Sequence, residues 1–176
     1  MAIKIDADYY LNRFVTNDEK RLVQIINNAQ IAKNTLTIPH PYTQEDAKWW
    51  IQQCELETHS SQPQKSWAIR NKEGLVCGGI GRNVKYGPNS HKDEIGYWLM
   101  RGLWGKGVMT KTVGAFSDYC FSELKLIRLE APIFDFNIAS GRVLEKNGFL
   151  LEGRLASAYL KGKEFYDALL YAKVAP

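Results

Sequence analysis

The pattern of hydrophobic periods predicts a mixed α/β domain, α+β in arrangement, in which strands outnumber helices. Three observations predict it. Alternating apolar residues mark short strands in the middle and at the end of the chain, and apolar residues at i, i+3, i+4 and i+7 mark helices between them. A glycine-rich turn joins a central strand to the longest helix. At 176 residues, one hydrophobic core is sufficient, because chains run to about 100–200 residues per domain. The expectation is a single domain over residues 1–176.

The elements follow in order. Tyr9 to Val15 reads as a strand. Thr16 and Glu19 have the spacing of a capping box, opening a helix whose Leu22, Ile25, Ile26 and Ala29 share one face. Thr43 can cap a second helix, in which Ala47, Trp50, Ile51 and Cys54 repeat at helical spacing. The polar stretch from Glu57 to Lys65 reads as a surface loop. Ser66 to Arg70 and Leu75 to Arg82 flank a turn at Asn71 to Gly74, and Asp93 to Met100 follows a Gly87-Pro88-Asn89 loop; together they suggest an antiparallel meander. Met109, Val113, Phe116 and Cys120 mark a helix of about four turns from Gly107 to Glu123. Arg128 to Phe134 is a strand whose Pro132 lacks a ladder donor and calls for an unpaired edge. A short helix from Ile138 to Lys146 stops at Asn147-Gly148. Strands from Phe149 to Leu160 and from Glu164 to Val174 close as a hairpin through Lys161-Gly162-Lys163.

Composition excludes several classes. Apolar residues make up 45% and charged residues 24%, which is ordinary globular usage and neither disordered nor fibrous. Cys54, Cys77 and Cys120 are odd in number and widely spaced, so they read as buried thiols in a reducing compartment. His40, His59 and His91 are isolated from one another, and no metal is expected. No secretory segment and no run of about 18 apolar residues occurs, so the expectation is a soluble, cytoplasmic chain without membrane contact. The net charge of +4 is interleaved with acids. It predicts no nucleic-acid stripe but suits a polyanionic small ligand.

The densest signal is the run from Glu94 to Thr110, a strand, a glycine-rich turn and a helix start. Such a turn presents consecutive N–H groups at the positive end of a helix dipole and cradles anions. Gly105 and Gly107 let the main chain approach phosphate oxygens, and Lys106 and Lys111 add positive charge. The P-loop pattern fails because Gly107 follows Lys106 where Ser or Thr belongs, and the dinucleotide pattern fails because Thr110 replaces its third glycine.

The segment resembles the coenzyme A loop of the GNAT superfamily of N-acetyltransferases, in particular its Rim-type branch, which acetylates ribosomal-protein N-termini. Glu94-Ile-Gly-Tyr-Trp-Leu99 is similar to that branch's central strand, and Trp104-Gly-Lys-Gly-Val-Met-Thr110 to its loop entering the long helix. Asn137 to Phe149 resembles the family's asparagine-plus-helix element, and Pro41 to Ala47 the start of its second helix. These pieces span Pro41 to Phe149 in the family's order. One departure is that Gly102 stands where the superfamily loop usually opens with Gln or Arg, and Arg101 sits one residue early.

The resemblance implies the GNAT fold: a twisted, mostly antiparallel sheet of about seven strands with helices on both faces, splayed at the cofactor cleft. It implies acetyl-CoA as co-substrate and no metal. By the same analogy the main chain of Trp98, Leu99 and Met100 bonds the pantetheine arm, Gly105, Lys106, Gly107, Val108 and Met109 hold the pyrophosphate, Asn137 bonds the arm from the opposite side, and Arg142 meets the 3′-phosphate. Glu94 is the candidate general base. The superfamily's usual tyrosine acid falls at Leu144, so Ser140 is the candidate donor to the leaving thiolate, as in the Rim-type branch. Tyr42 and Trp98 are candidates for the acceptor side.

The implied activity is transfer of an acetyl group to a primary amine, either a protein N-terminal α-amine or a small-molecule amine, by direct attack in a ternary complex. At pH 7 an α-amine of pKa about 8 loses its proton at a cost of about 1.4 kcal/mol and a lysine amine at about 4.6 kcal/mol, so an α-amine needs less help from a base. Plainer readings stand beside these. Glu94 can be an ion-paired strand carboxylate, Ser140 a helix cap, Asn137 a turn residue and Arg142 a solvated helix face. The alternative function is an acyl-CoA-binding sensor or scaffold with weak catalysis; a nucleotide-binding protein is a more distant third. The acceptor and the oligomeric state, a homodimer included, stay open.

Overall fold

The computed structural model describes residues 2–58, 63–87 and 90–176. His59, the middle of the polar stretch before Lys65, and Pro88-Asn89 lie outside these residues. The chain opens with β1 (Ile3–Lys4), β2 (Tyr9–Asn12), a 3-10 turn (Thr16–Asp18), α1 (Glu19–Ile26), α2 (Ala29–Asn34) and α3 (Gln44–Thr58). It continues through β3 (Ser66–Asn71), β4 (Val76–Arg82), β5 (Lys92–Leu99), α4 (Val108–Ser122), β6 (Arg128–Phe134), α5 (Ile138–Glu145), β7 (Leu150–Lys161) and β8 (Glu164–Val174). Among the described residues the strands form one eight-stranded sheet in the order β1-β2-β3-β4-β5-β6-β8-β7. Every neighbouring pair is antiparallel except β5 with β6. β1 adds a strand to the expected count; two residues are too short to carry a period.

Strand alternation sends successive side chains to opposite faces, and each face has its own core. On one face Trp67, Ile69, Ile80 and Ile95 pack with Val113, Phe116 and Cys120 of α4 and Leu144 of α5. On the other, Ala68 and Val76 pack with Leu22 and Ile26 of α1 and Ala47 and Ile51 of α3. Helices therefore cover both faces. Burial of each large apolar side chain is worth about 1.5–3 kcal/mol, and Trp67 and Phe116 are almost fully enclosed.

The cap expected at Thr43 forms, and Asp46 completes it as a box: Thr43 N donates to Asp46 Oδ2 at 2.8 Å and Asp46 N to Thr43 Oγ1 at 3.2 Å. The box expected between Thr16 and Glu19 does not form. Asp18 receives the Val15 N–H at 2.8 Å, because the buried Arg70 holds its carboxylate by two bonds of 2.9 and 2.6 Å, a bidentate geometry that single-point contacts do not match. Thr16 donates instead to Glu55 at 2.6 Å. The first helix also stops at Ile26, earlier than its apolar face suggests. Asn28 then caps a separate α2 by accepting from Gln30 N at 3.0 Å.

The feature that positions the site is the parting of β5 and β6. They pair only through Lys92↔Arg128, Asp93↔Leu129 and Glu94↔Glu130. Beyond Glu94, β5 stays bonded to β4 as far as Leu99, and β6 to β8 as far as Phe134. Asp135 N donates to Asp167 O on the β8 side at 3.1 Å, so the two-residue alternation turns Pro132 toward the gap. A residue without an N–H leaves no orphan donor on that open edge.

Candidate active site

A cavity of about 570 Å³ opens where the strands part. Its floor is Gly79, Gly81, Glu94, Gly96 and Trp98; one wall is Ala131 to Phe134 with Tyr159; Asn137 and Ser140 lie at its inner end; Tyr42, Trp49, Trp50 and residues 34–39 form the opposite wall. Gly79 is required there, since a Cβ would stand 2.6 Å from Trp98 Nε1. Of the residues singled out in the sequence, Tyr42, Glu94, Trp98, Asn137 and Ser140 share this cavity. Leu99, Met100, Gly105 to Met109 and Arg142 do not line it; they lie along the end of β5, the start of α4 and the exposed face of α5.

The open edge of β5 belongs to different residues than expected. Met100 N donates to Cys77 O at 2.8 Å, and Asn83 N to Glu94 O at 2.9 Å. The even-numbered residues therefore bond back to β4, and alternation gives the N–H groups of Tyr97 and Leu99 to the gap. Of the three expected main-chain contacts, Leu99 keeps its place on the open edge, whereas Trp98 faces β4 and Met100 spends its N–H on Cys77 O and its carbonyl on Leu103 N. Leu99 O accepts Trp104 Nε1 at 2.8 Å, anchoring the following turn to the strand.

That turn is exposed at residues 105–107. Gly105 and Gly107 have φ of 74° and 77°, and a Cβ on either would meet nothing within 4 Å. Protein packing therefore leaves space above the turn. Gly107 caps α4, and Lys111 N makes the first intrahelical bond, to Gly107 O at 3.1 Å, so the N–H groups before it point out of the helix end. Val108 and Met109 bury their side chains in the core and hold the turn from below. Lys106 is exposed, whereas Lys111 pairs with Asp6 at 2.7 Å and shares its charge. Arg101, one residue before the departed loop position at Gly102, lies over the Trp104 ring, 5.0 Å from its centroid.

At the inner end, Asn137 caps α5: its side-chain oxygen accepts Ser140 N at 3.3 Å. Ser140 is buried, and its Oγ lies 2.7 Å from Tyr97 Oη. Burial pushes the Tyr97 phenol far above its ordinary pKa, only partly offset by the Ser140 hydrogen bond. Leu144 is fully enclosed in the core and offers no donor. Glu94 accepts Asn83 Nδ2 at 2.6 Å and lies 3.4 Å from Lys85 Nζ, so the ion-paired reading is met in part while its carboxylate still borders the cavity. Burial, with the nearby Glu94, pushes the Tyr159 phenol up to about 12, and burial, with Asp46, pushes Tyr42 up to about 12. Sequence reasoning missed Tyr97. The available signal was parity: Tyr97 lies three residues after Glu94 on the same strand and so faces the opposite side, toward α5.

Among the described residues no group of three or more His, Cys, Asp and Glu is placed to hold a metal ion, and no helix is long and apolar enough to cross a membrane. Comparison with known proteins matches residues 9–150 to the acetyltransferase (GNAT) domain family. Two Escherichia coli (strain K12) proteins align along nearly the whole chain. A ribosomal-protein-serine acetyltransferase is 27% identical over 98% of this chain and 96% of its own, and the L-amino acid N-acetyltransferase AaaT is 26% identical over 90% and 93%. The probable N-acetyltransferase YjcK of Bacillus subtilis (strain 168) is 52% identical over 34% of this chain, and the match spans only 33% of that relative. Among solved structures, a ribosomal L7/L12 alpha-N-protein acetyltransferase in complex with coenzyme A superposes with a TM-score of 0.87 at 21% identity, covering 99% of this chain and 98% of the other. The splayed sheet, the exposed glycine turn capping α4 and a family match over most of the chain agree: the protein belongs to the GNAT family of N-acetyltransferases, and Rim-type enzymes are among its relatives.

Proposed function

We propose that the protein transfers the acetyl group of acetyl-CoA to a primary amine by direct attack in a ternary complex. The observation that carries this reading is the gap beyond Glu94, which joins an exposed, N–H-rich turn to a cavity lined by a carboxylate and a buried hydroxyl. The turn at Gly105 to Met109, with Lys106, suits a diphosphate. The edge N–H groups of Tyr97 and Leu99 suit the amides of a pantetheine arm, with Asn137 opposite and Arg142 available to a terminal phosphate.

On this reading Glu94 takes the amine proton through water. The amine nitrogen bonds to the thioester carbonyl carbon, the C–S bond breaks, and Ser140 donates a hydrogen bond to the departing sulfur. Trp49, Trp50, Tyr42 and Trp98 shape the acceptor side, fitting either a protein N-terminal α-amine or a small amine. Two of the relatives are named for different acceptors, one a ribosomal-protein serine and the other an L-amino acid. A cytoplasmic setting, where acetyl-CoA and reduced thiols coexist, suits the three buried free cysteines.

The rival reading, a sensor that binds acyl-CoA without turnover, draws on Leu144, whose side chain has no proton to give. Titration calorimetry with CoA and acetyl-CoA, followed by a thiol-release assay over amines and N-terminal peptides, tests the proposal. Binding with turnover on at least one amine is expected. Binding without turnover on any of them supports the sensor, and no binding ends both readings.

A further inference from the structure

Resting on that reading of the site, we infer that Tyr97 is a positioning residue for acyl transfer, whose phenol directs the Ser140 hydroxyl toward the leaving sulfur. The two oxygens stand 2.7 Å apart, an ordinary O–H···O separation, and they connect β5 to the first turn of α5 across the gap between the parted strands. Tyr97 also lies 3.3 Å from the Ser140 carbonyl oxygen, so its ring is fixed over that one turn.

A serine in a helix tends to turn its only proton back onto the carbonyl three or four residues before it. In that orientation it has nothing to offer a sulfur. Ser140 N is already engaged by Asn137, and the serine is enclosed, so the choice open to its hydroxyl is between a backbone carbonyl, Tyr97 and the gap. When Tyr97 donates to Ser140 Oγ, it fills one of that oxygen's two lone pairs and no longer competes as an acceptor, so the serine proton can turn to the gap. As the C–S bond breaks, the electron pair goes to sulfur and the Ser140 O–H hydrogen-bonds to it; the phenol keeps its own proton throughout. Burial keeps that proton on the phenol, since it holds the pKa far above its usual value and closes the phenolate as a resting form. In this arrangement Tyr97 is a hydrogen-bond donor to Ser140 Oγ and not an acid. The arrangement would also account for turnover with leucine at position 144.

The test compares the wild type, Tyr97→Phe, Ser140→Ala and the double variant with acetyl-CoA and the best amine found above. Tyr97→Phe keeps the ring and its packing. It is expected to lower kcat about tenfold, equivalent to about 1.4 kcal/mol, with the KM for acetyl-CoA within about twofold and the melting temperature little changed. In the Ser140→Ala background the same change is expected to have no further effect on kcat, a non-additivity that a merely structural tyrosine would not produce. Tyr97→His, which keeps a donor, is expected to recover part of the lost rate and serves should Tyr97→Phe fold poorly. Full kcat in Tyr97→Phe overturns the inference, as do losses that multiply in the double variant or a change confined to KM. A wild type that binds acetyl-CoA without turning over any amine overturns the functional reading beneath it, which separates the two failures.

Discussion

Gly107 shows how little of a functional residue's identity is set by packing. Its φ of 77° lies where an L side chain is strained, yet a Cβ there would touch no protein atom within 4 Å. Gly107→Ala should therefore destabilise the fold by only about 1–2 kcal/mol, read from chemical denaturation. Affinity for CoA, read by calorimetry, should fall by a further tenfold or more, because the methyl group enters the space proposed for the diphosphate. Equal losses in the two measurements would return this glycine to a purely conformational role. The turn was legible in the sequence because glycines after a strand and before a helix leave a local mark. Tyr97 was not, because its partner Ser140 lies 43 residues away and only the sheet brings them together. The same holds for the open edge: Trp98, Leu99 and Met100 were expected to bond the arm, and the ladder register, invisible in a single strand, keeps Leu99 there and puts Tyr97 beside it in place of the other two.

At the level of elements, the closed end of the gap is secured by charge. Glu130, paired with Glu94 in the parallel ladder, accepts the Tyr86 hydroxyl at 2.5 Å, Arg128 Nε at 2.9 Å and Lys92 Nζ at 3.1 Å. Burial alone would raise its carboxyl pKa, but these three hydrogen bonds prevail and hold it at about 2, below an ordinary value of 4.5. A carboxyl depressed by folding stabilises the native state above its unfolded pKa and loses that contribution as the pH falls through its folded one. The shift corresponds to at most about 3 kcal/mol, and to about half that once screening at the partly exposed Lys92 and Arg128 is allowed for. Between pH 4.5 and pH 2 the wild type should lose this stability. Glu130→Gln should be less stable at neutral pH and flatter across that window, as followed by equilibrium unfolding at a series of pH values; an unchanged acid slope would show that the cluster does not hold the carboxyl down. The strands and α3 to α5 could be read from period alone, since each runs long enough to repeat. β1 and α2 could not: two and six residues fall short of a repeat, and the early stop of the first helix depends on an Asn28 cap that competes with an otherwise continuous apolar face.

Across the whole molecule, two helix-backed layers of core share one sheet, and the sheet is joined across its middle by three residue pairs. Among the described residues, 92–94 carry the ladder pairing between β5 and β6, and His91 O extends it by accepting Ile127 N at 2.7 Å and Arg128 N at 3.3 Å. On the proposed function, the pantetheine arm would supply bonding partners to amides that no neighbouring strand reaches. Hydrogen exchange at Tyr97 and Leu99 should then slow by about tenfold or more with saturating CoA, while Gly96 and Trp98, already bonded to β4, should change far less. Uniform slowing along β5 would point to general stabilisation and not to an arm lying along that edge.

The short seam at residues 92–94 has one further consequence. The sheet resembles a book bound only at the foot of its spine: past Glu94 the facing margins of β5 and β6 are unstitched, while the shared core beneath them, from Ile80 and Ile95 to Leu129 and Tyr171, keeps the covers in place. On the proposed function, a donor thioester would do more than deliver acetyl; it would stitch the open margin, and release of the spent thiol would unpick the stitch.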